Sequence, residues 1–261
     1  MPMVPSSFDG TPTAFEVWGV GSPTIVFVPG LTGDRSDFSA QISFFEGSHQ
    51  VVGVDLPGNG ESGRDRSVWT MAAFGQDVAT VVDHLALDDL VLVGHSFGGD
   101  VTVDAALRLG GRVRGLVWVS SYRSLGSILD EDQVDGWLAP FREDFVAAMD
   151  DLTRRNFGPD ADRTMVDAVV ARMVSSDPDM VMNVLDSKLH NEPAVLDALG
   201  RIDAAVFAIN PGFKPNDAES LLAYGIDLRV VPGVGHYTMM EDPTTFNAIL
   251  TDIIEALPAP S

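Results

Sequence analysis

Short runs of consecutive apolar residues recur along the chain, and most of them end at glycine or proline. Such runs, rich in valine and isoleucine, are typical of strands that are buried on both faces of a sheet. Between them lie stretches with apolar residues at helical spacing, such as Phe74, Val78, Val81 and Leu85. This alternation predicts an α/β fold with a mostly parallel twisted sheet and flanking helices. The predicted strands cover residues 24–28, 50–55, 90–93, 115–119, 204–209 and 227–231, with an edge strand at 14–20, and the predicted helices cover 68–85, 97–109, 217–224 and 243–257.

The segment 122–200 has a different pattern, because it contains amphipathic helical stretches and no predicted strand. The stretches at 134–152, 163–174 and 178–189 are separated by Gly-Pro and Asp-Pro breaks. An all-helical insertion between two strands of a parallel sheet is typical of a lid above the carboxyl ends of the strands, where open α/β sheets bind ligands. We therefore predict a core formed by residues 1–121 and 201–261, and a helical lid formed by 122–200.

Acidic residues dominate the charge of the chain, with 38 acidic and 16 basic residues and a formal net charge of −22. Such a surface repels phosphate backbones and anionic lipid head groups, so nucleic acid and membrane are not expected as partners. Only two of the basic residues are lysines, Lys188 and Lys214. The absence of cysteine excludes disulfides and a thiolate nucleophile. Because residues 1–10 lack a secretory signal and no apolar run is long enough to span a membrane, we expect a cytoplasmic protein.

The strongest chemical motif is G-H-S-F-G-G at residues 94–99, which matches the pattern G-x-S-x-G. A predicted strand precedes it and a predicted helix follows it. A sharp turn from strand to helix forces the central serine into a strained conformation, and small residues on either side let the backbone pass. Ser96 would then stand above the sheet at a helix N-terminus, where developing negative charge is favoured. We therefore predict that Ser96 is an exposed nucleophile.

A second loop, P-G-L-T-G at residues 29–33, follows the first buried strand. In the predicted fold this loop lies beside the serine turn. The backbone N–H groups of Leu31 and Phe97 are therefore predicted to form an oxyanion hole for the tetrahedral intermediate of acyl transfer.

The order of these motifs resembles that of the α/β-hydrolase superfamily over nearly the whole chain. The matching segments are P-G-L-T-G at 29–33, D-L-P-G-N-G-E-S-G at 55–63, G-H-S-F-G-G at 94–99 and G-V-G-H at 233–236. The first loop often begins with His-Gly in this family, and here Pro29 replaces the histidine. The helical segment resembles the lids of small esterases, and also those of hormone receptors and stress-signalling regulators that share the fold.

His236 is the predicted general base, because a serine hydroxyl needs a group that accepts its proton. It follows the last predicted strand in a glycine-rich loop, as the catalytic histidine of the resembled family does. Of the other histidines, His84 lies in a helix, His49 lies near a strand and His190 lies in the predicted lid. We expect the side chain of His95 to point away from the nucleophile.

The third member of the triad is not decided by the sequence. The resembled family places an acid after the strand that follows the serine helix, or after the penultimate strand. The first position reads V-S-S-Y at 119–122 and holds no carboxylate, and Asp217 is the only acid near the second. Asp217 is equally a candidate cap for the following helix, and Ser120 or Asn210 could orient the histidine by a neutral hydrogen bond. An acid elsewhere in the chain, or none, remains open, and we expect Glu241 and Asp242 to begin the final helix.

The scattered histidines and the lack of a phosphate-binding glycine loop predict neither a metal nor a cofactor. Two functions follow from these patterns. The first is a serine hydrolase that cleaves a small apolar or amphipathic ester, thioester or lactone through an acyl-enzyme on Ser96. The second is a ligand-sensing or partner-binding protein with little turnover, which the missing acid favours. A perhydrolase or C–C hydrolase would use a similar Ser–His site, whereas a dehalogenase or epoxide hydrolase would need Asp at position 96.

Overall fold

A computed structural model describes residues 2–258 of the chain. The apolar runs form a sheet of eight strands, and the inner ones are buried along their whole length because helices cover both faces. The strands are β1 (Met3–Pro5), β2 (Pro12–Trp18), β3 (Thr24–Val28), β4 (Val51–Asp55), β5 (Leu90–His95), β6 (Val113–Val119), β7 (Ala205–Pro211) and β8 (Asp227–Val231).

The strand order is β1-β2-β4-β3-β5-β6-β7-β8. Strand β2 is antiparallel to both of its neighbours, β1 and β4, and all other neighbouring strands pair parallel. The chain moves to one side of β3 for β4 and to its other side for β5. In open α/β sheets such a reversal opens a crevice at the carboxyl ends of the strands. The loops after β3 and β5 therefore lie side by side. The predicted mostly parallel sheet is confirmed.

The predicted edge strand at 14–20 is not at the edge. It is β2, and the three-residue strand β1 pairs outside it, with Val4 opposite Thr13. Only Val4 of β1 is buried, so this strand is too short to produce an alternating pattern that sequence reading could detect.

Eleven α-helices connect and cover these strands within residues 2–258. They are α1 (Ser39–Phe45), α2 (Met71–His84), α3 (Phe97–Leu109), α4 (Glu131–Glu143), α5 (Phe145–Asn156), α6 (Arg163–Val174), α7 (Pro178–Leu189), α8 (Glu192–Leu199), α9 (Ala218–Ala223), α10 (Thr238–Glu241) and α11 (Pro243–Ala256). Thr70 caps α2 by accepting from the backbone N–H of Ala73 at 3.2 Å. None of the helices in this part of the chain is long and apolar enough to cross a membrane.

The segment 122–200, which we call the helical insertion, contains α4 to α8. The single helix predicted at 134–152 is wrong, because α4 ends and α5 begins at Asp144. Asp144 has an extended backbone, with φ −148° and ψ 93°, and its side chain accepts from the N–H of Ala147 at 3.0 Å. Apolar periodicity continues across this break, so only the capping geometry reveals it. That the insertion acts as a lid, separate from the core, stays a prediction.

Two buried carboxylates outside the helical insertion, Asp37 and Asp100, bind side chains of the insertion. Arg172 of α6 donates to both carboxylate oxygens of Asp37, at 2.8 and 2.9 Å. Lys188 of α7 lies 2.7 Å from the carboxylate of Asp100 in α3, and Asn191 donates to the same carboxylate at 2.9 Å. Burial raises the pKa of Asp37 to about 6, although Arg172 acts in the opposite direction. These contacts hold the insertion over the carboxyl ends of the strands.

Candidate active site

Ser96 lies between β5 and α3 in a backbone conformation that serine rarely adopts, with φ 54° and ψ −124°. The neighbouring glycines leave no room for side chains. A Cβ on Gly94 would lie 2.3 Å from the carbonyl oxygen of Gly98, and one on Gly98 would lie 2.6 Å from that of Pro29. The turn predicted from G-x-S-x-G is therefore present in the structure, together with the steric reason for its glycines.

A cavity of about 500 Å³ lies between the carboxyl ends of the strands and the helical insertion. Ser96 and His236 both line it and are partly exposed to it. Its other lining residues are Gly30, Leu31, Asp37, His95, Phe97, Ser120, Ser121, Arg123, Trp137, Leu152, Asn156, Met173, Val184, Leu185, Lys188, Leu189, Pro211, Phe213, Lys214, Gly235 and Tyr237. The structure thus brings the serine turn and the His236 loop together, although they are far apart in the sequence. The distance between His95 Nε2 and the carbonyl oxygen of His236 is 3.0 Å, and these two residues are 141 positions apart.

Leu31 and Phe97, the two residues predicted for an oxyanion hole, both line the cavity. Phe97 is the first residue of α3, and N–H groups in the first turn of a helix have no partner within that helix. Leu31 lies in the turn closed by the N–H of Gly33, which donates to the carbonyl of Gly30 at 2.9 Å. Both residues therefore bring backbone amides to the region of Ser96.

The loop that carries His236 is fixed on two sides. The N–H of His236 donates to the carbonyl of Asn156 at 2.5 Å, at the end of α5. Glu241 accepts from the N–H of Gly235 at 3.1 Å and from the N–H of Gly158 at 2.8 Å. The expectation that Glu241 begins the final helix is therefore wrong. Asp242 does cap that helix, because it accepts from the N–H of Thr245 at 3.0 Å.

Burial lowers the pKa of the His236 imidazole well below its ordinary value of 6.5. The neighbouring His95 and the positive charges of Lys214 and Arg123 lower the pKa further. No carboxylate contributes to this shift in the described residues. The imidazole is therefore neutral at pH 7, as a proton acceptor must be.

From the sequence we expected the side chain of His95 to point away from the nucleophile, and this expectation is wrong. It lines the cavity, its ring centroid lies 4.8 Å from that of His236, and Nε2 donates to the carbonyl of His236. Burial lowers its pKa to about 4, so this histidine is neutral with the proton on Nε2. Its role is to support the backbone of the His236 loop.

The candidates for the third triad position lie in different surroundings. Asp217 is exposed, caps α9 by accepting from the N–H of Ser220 at 3.0 Å, and does not line the cavity. Asn210 is buried, does not line the cavity, and donates to the carbonyl of Tyr122 at 2.8 Å. Ser120 does line the cavity, directly after β6, with φ 55° and a buried hydroxyl that has no partner within residues 2–258. The structure therefore brings Ser120, and neither Asp217 nor Asn210, to the cavity that holds His236.

Four charged residues that sequence reasoning did not select as site residues also line the cavity, namely Asp37, Arg123, Lys188 and Lys214. The scarcity of lysine was the available signal for Lys214, but it gives no position in the fold. Asp37 lies in a short 3-10 helix (Arg35–Phe38) and Arg123 lies in the loop after β6, and neither belongs to a recognisable motif. Within residues 2–258, no group of three or more histidine or acidic side chains is placed to hold a metal ion.

The strand order, the serine turn and the histidine loop together define the α/β-hydrolase class of fold. A family model described as the Alpha/beta hydrolase family matches residues 25–249. The chain therefore belongs to the alpha/beta hydrolase family.

Two curated relatives show the range of proteins to which the chain is similar. It is 36% identical over 123 residues to a non-heme haloperoxidase of Rhodococcus erythropolis, a match that covers 46% of this chain and 44% of that protein. It is 25% identical to the dihydrolipoyllysine-residue acetyltransferase component of the acetoin cleaving system of Cupriavidus necator, over 93% of this chain and 66% of that protein. In both cases the chain spans less than two thirds of the relative's length.

Solved structures agree with the chain over nearly its full length. An esterase from Exiguobacterium antarcticum has a TM-score of 0.84 at 16% identity, covering 97% of this chain and 99% of the other. Est816, described as an N-acyl homoserine lactone degrading enzyme, has a TM-score of 0.82 at 23% identity, covering 96% and 99%. At these identities the likeness concerns the fold.

Proposed function

We propose that this protein is a serine hydrolase that cleaves a small ester, thioester or lactone through an acyl-enzyme on Ser96. The observation that carries the proposal is the meeting of Ser96, His236 and the amides of Leu31 and Phe97 at one cavity. Esterases and a lactone-degrading enzyme among the structural neighbours agree with it.

In the proposed mechanism the Ser96 hydroxyl attacks the carbonyl carbon of the substrate while His236 accepts its proton. The amides of Leu31 and Phe97 donate hydrogen bonds to the oxyanion of the tetrahedral intermediate. His236 then returns the proton to the leaving group, and the acyl group stays on Ser96. Water, activated by His236, attacks the acyl-enzyme and releases the acid.

The apolar part of the cavity wall comes mainly from the helical insertion, through Trp137, Leu152, Met173, Val184 and Leu185. This supports a lid that selects a small apolar or amphipathic substrate and excludes water during the reaction. No step of the mechanism requires a cofactor.

Ser120 is our proposal for the third position, since its unpartnered hydroxyl lies in the same cavity as His236. A hydroxyl orients the imidazole but supplies no negative charge to stabilise the imidazolium. Loss of the triad carboxylate costs a related site about 10⁴ in kcat, so we expect turnover to be slow for this class.

The direct test is covalent capture of Ser96 by a fluorophosphonate, detected by mass spectrometry, together with hydrolysis of nitrophenyl esters of increasing chain length. We expect one adduct on Ser96, and a loss of turnover of about 10³-fold or more in both Ser96→Ala and His236→Ala. Ser121→Ala is the matched control, because Ser121 lines the same cavity but donates to the carbonyl of Gly94. A folded protein that forms no adduct and turns over no ester would contradict the proposal.

The second candidate is a ligand-sensing protein with little turnover. The observation that favours it is that, in the described residues, no carboxylate contributes to the pKa shift of His236. Saturable binding of a small ligand to the cavity, unchanged in Ser96→Ala and without hydrolysis, would support this alternative.

A further inference from the structure

The cavity is cationic in a protein that is otherwise strongly acidic. The chain has 38 acidic residues and only two lysines, and both lysines line this cavity together with Arg123. Within residues 2–258, Asp37 is the one carboxylate residue in the cavity lining, and Arg172 binds both of its oxygens. The open space beside Ser96 is therefore surrounded by an excess of positive charge.

The three cations are not equivalent. Lys188 lies 2.7 Å from the carboxylate of Asp100 and 3.7 Å from the centre of the Tyr122 ring, so its charge is already compensated. In the described residues no carboxylate lies within 4.0 Å of Arg123 or of Lys214. Lys214 donates only to the neutral Oδ1 of Asn156, at 3.2 Å.

Arg123 and Lys214 repel each other, and water screens part of this repulsion because Arg123 is exposed and Lys214 is half-buried. Burial lowers the pKa of Lys214, and the charges of Arg123 and Arg155 lower it further. Arg155 forms an ion pair with Asp151 at 2.6 Å. Arg123 and Lys214 have no carboxylate partner among the described residues, so the repulsion between their charges is not compensated. A bound anion would remove this repulsion.

The two cations also lie next to the reaction centre. Arg123 follows β6 and Lys214 follows β7, at the same edge of the sheet as Ser96, which follows β5. Both charges lower the pKa of His236, so both lie within electrostatic reach of the base. An anionic group held by them would sit within the same cavity as the scissile carbonyl.

We infer that the substrate carries a carboxylate, and that Arg123 and Lys214 bind this carboxylate while Ser96 attacks the ester, thioester or lactone carbonyl. This inference rests on the proposed function and names the substrate class for it. The guanidinium of Arg123 offers a planar pair of donors that matches a carboxylate, and Lys214 adds a second charge from the half-buried side. The apolar wall of the helical insertion would contact the hydrocarbon segment of the substrate between its carboxylate and its scissile carbonyl.

Three esters with one leaving group test the inference. They are nitrophenyl hemiadipate, which ends in a carboxylate, the corresponding methyl adipate, and the dimethylaminovalerate ester, which ends in a cation. We expect kcat/KM of the wild type to be about tenfold higher for the hemiadipate than for the methyl ester, and lowest for the cationic ester.

Lys214→Gln and Arg123→Gln should each reduce the ratio of kcat/KM for the hemiadipate to kcat/KM for the methyl ester about tenfold, chiefly by raising KM for the hemiadipate. Arg163→Gln is the matched control, because Arg163 is an exposed arginine at the start of α6 that does not line the cavity. Arg163→Gln removes one positive charge, as the two test variants do, and should keep the preference for the hemiadipate over the methyl ester. A methyl ester that is cleaved as well as the hemiadipate, or a preference that survives in Lys214→Gln, would overturn the inference.

Failure of the proposed function would look different, since none of the three esters would then be cleaved. In that case calorimetry measures the binding of two ketones to the protein. One is the methyl ketone analogue of hemiadipate, which carries the carboxylate and cannot be hydrolysed, and the other is the uncharged methyl ester of this ketone. Tighter binding of the anionic ketone to the wild type, by about tenfold, and equal binding of both ketones to Lys214→Gln support the anion site without turnover. Equal binding of both to the wild type overturns it.

Discussion

Ser120 is the residue that we propose for the third position of the triad, in place of a carboxylate. It follows β6, where the resembled family can place the acid, and it is 7% exposed with φ 55° and a hydroxyl that has no partner among the described residues. Asparagine and aspartate tolerate this left-handed conformation better than other residues with a Cβ. The backbone is therefore already suited to a carboxylate that the chain does not carry.

We predict that Ser120→Asp accelerates ester hydrolysis, because a carboxylate beside His236 would stabilise the imidazolium that forms during attack. The expected rise in kcat is about tenfold or more, measured on the hemiadipate ester. Ser120→Asn is the isosteric control without charge and should stay near the wild-type rate. If the two variants, both folded, have equal rates, position 120 does not act on His236.

The pH dependence of kcat/KM should report the lowered pKa of His236. A general base works in its unprotonated form, so a lower pKa keeps the base active to lower pH. The acid limb of the wild-type profile is expected to have its midpoint below pH 6.5. Lys214→Gln removes a nearby positive charge, raises the pKa of His236, and should move this midpoint to higher pH.

The control for the pH profile is again Arg163→Gln, which leaves the surroundings of His236 unchanged and should leave the midpoint in place. A wild-type midpoint at or above 6.5, or a midpoint that does not respond to Lys214→Gln, would show that the cations do not act on the base.

The turn between β5 and α3 is the element on which the site depends. Its geometry rests on backbone contacts that exclude side chains, above all at Gly98, where a Cβ would lie 2.6 Å from the carbonyl oxygen of Pro29 and 2.7 Å from that of Val28. These carbonyls belong to β3 and to the loop that carries Leu31. The serine turn and the proposed oxyanion hole are therefore packed as one unit.

Gly98→Ala should separate the two parts of this unit. We expect a loss of about 1–3 kcal/mol in the free energy of unfolding from overpacking, and a loss of about 10² in kcat/KM from the displaced amides. Urea unfolding and ester hydrolysis measure the two effects. Gly111→Ala is the control, since no atom lies within 4 Å of a Cβ at Gly111, near the end of the same helix. Wild-type activity in Gly98→Ala would show that the close approach is unimportant.

At the scale of the whole molecule, the charge of −22 is distributed unevenly. Arginines form ion pairs across the surface, as between Arg112 and Asp83 at 2.6 Å, yet far more carboxylates than cations remain. The resulting self-repulsion weakens the folded state, and the cavity is the place where the balance is locally reversed.

Screening should therefore stabilise the protein. Raising sodium chloride from about 0.01 M to about 0.1 M shortens the screening length from about 30 Å to about 10 Å, and we expect the midpoint of urea unfolding to rise. Potassium chloride should act equally, because screening does not depend on the cation. A midpoint that stays constant or falls with salt would mean that paired charges, rather than net repulsion, dominate the stability.

The sequence by itself determined the sheet, the serine turn and the histidine loop. Each depends on neighbours along the chain: runs of apolar residues, glycines two positions from Ser96, and a glycine-rich segment before His236. The division of 134–152 at Asp144 and the strand β1 were missed, because capping geometry and a three-residue pairing leave no periodic pattern.

Only the tertiary structure decided which residues share the cavity. Asp217 and Ser120 were both candidates in the sequence, and the fold places Asp217 on an exposed helix cap and Ser120 at the cavity that His236 also lines. Lys214 and Arg123 carry no motif, and they act on His236 because β6 and β7 are neighbours in the sheet. Contacts between residues that are far apart in the chain depend on strand order and loop packing, which local patterns do not encode.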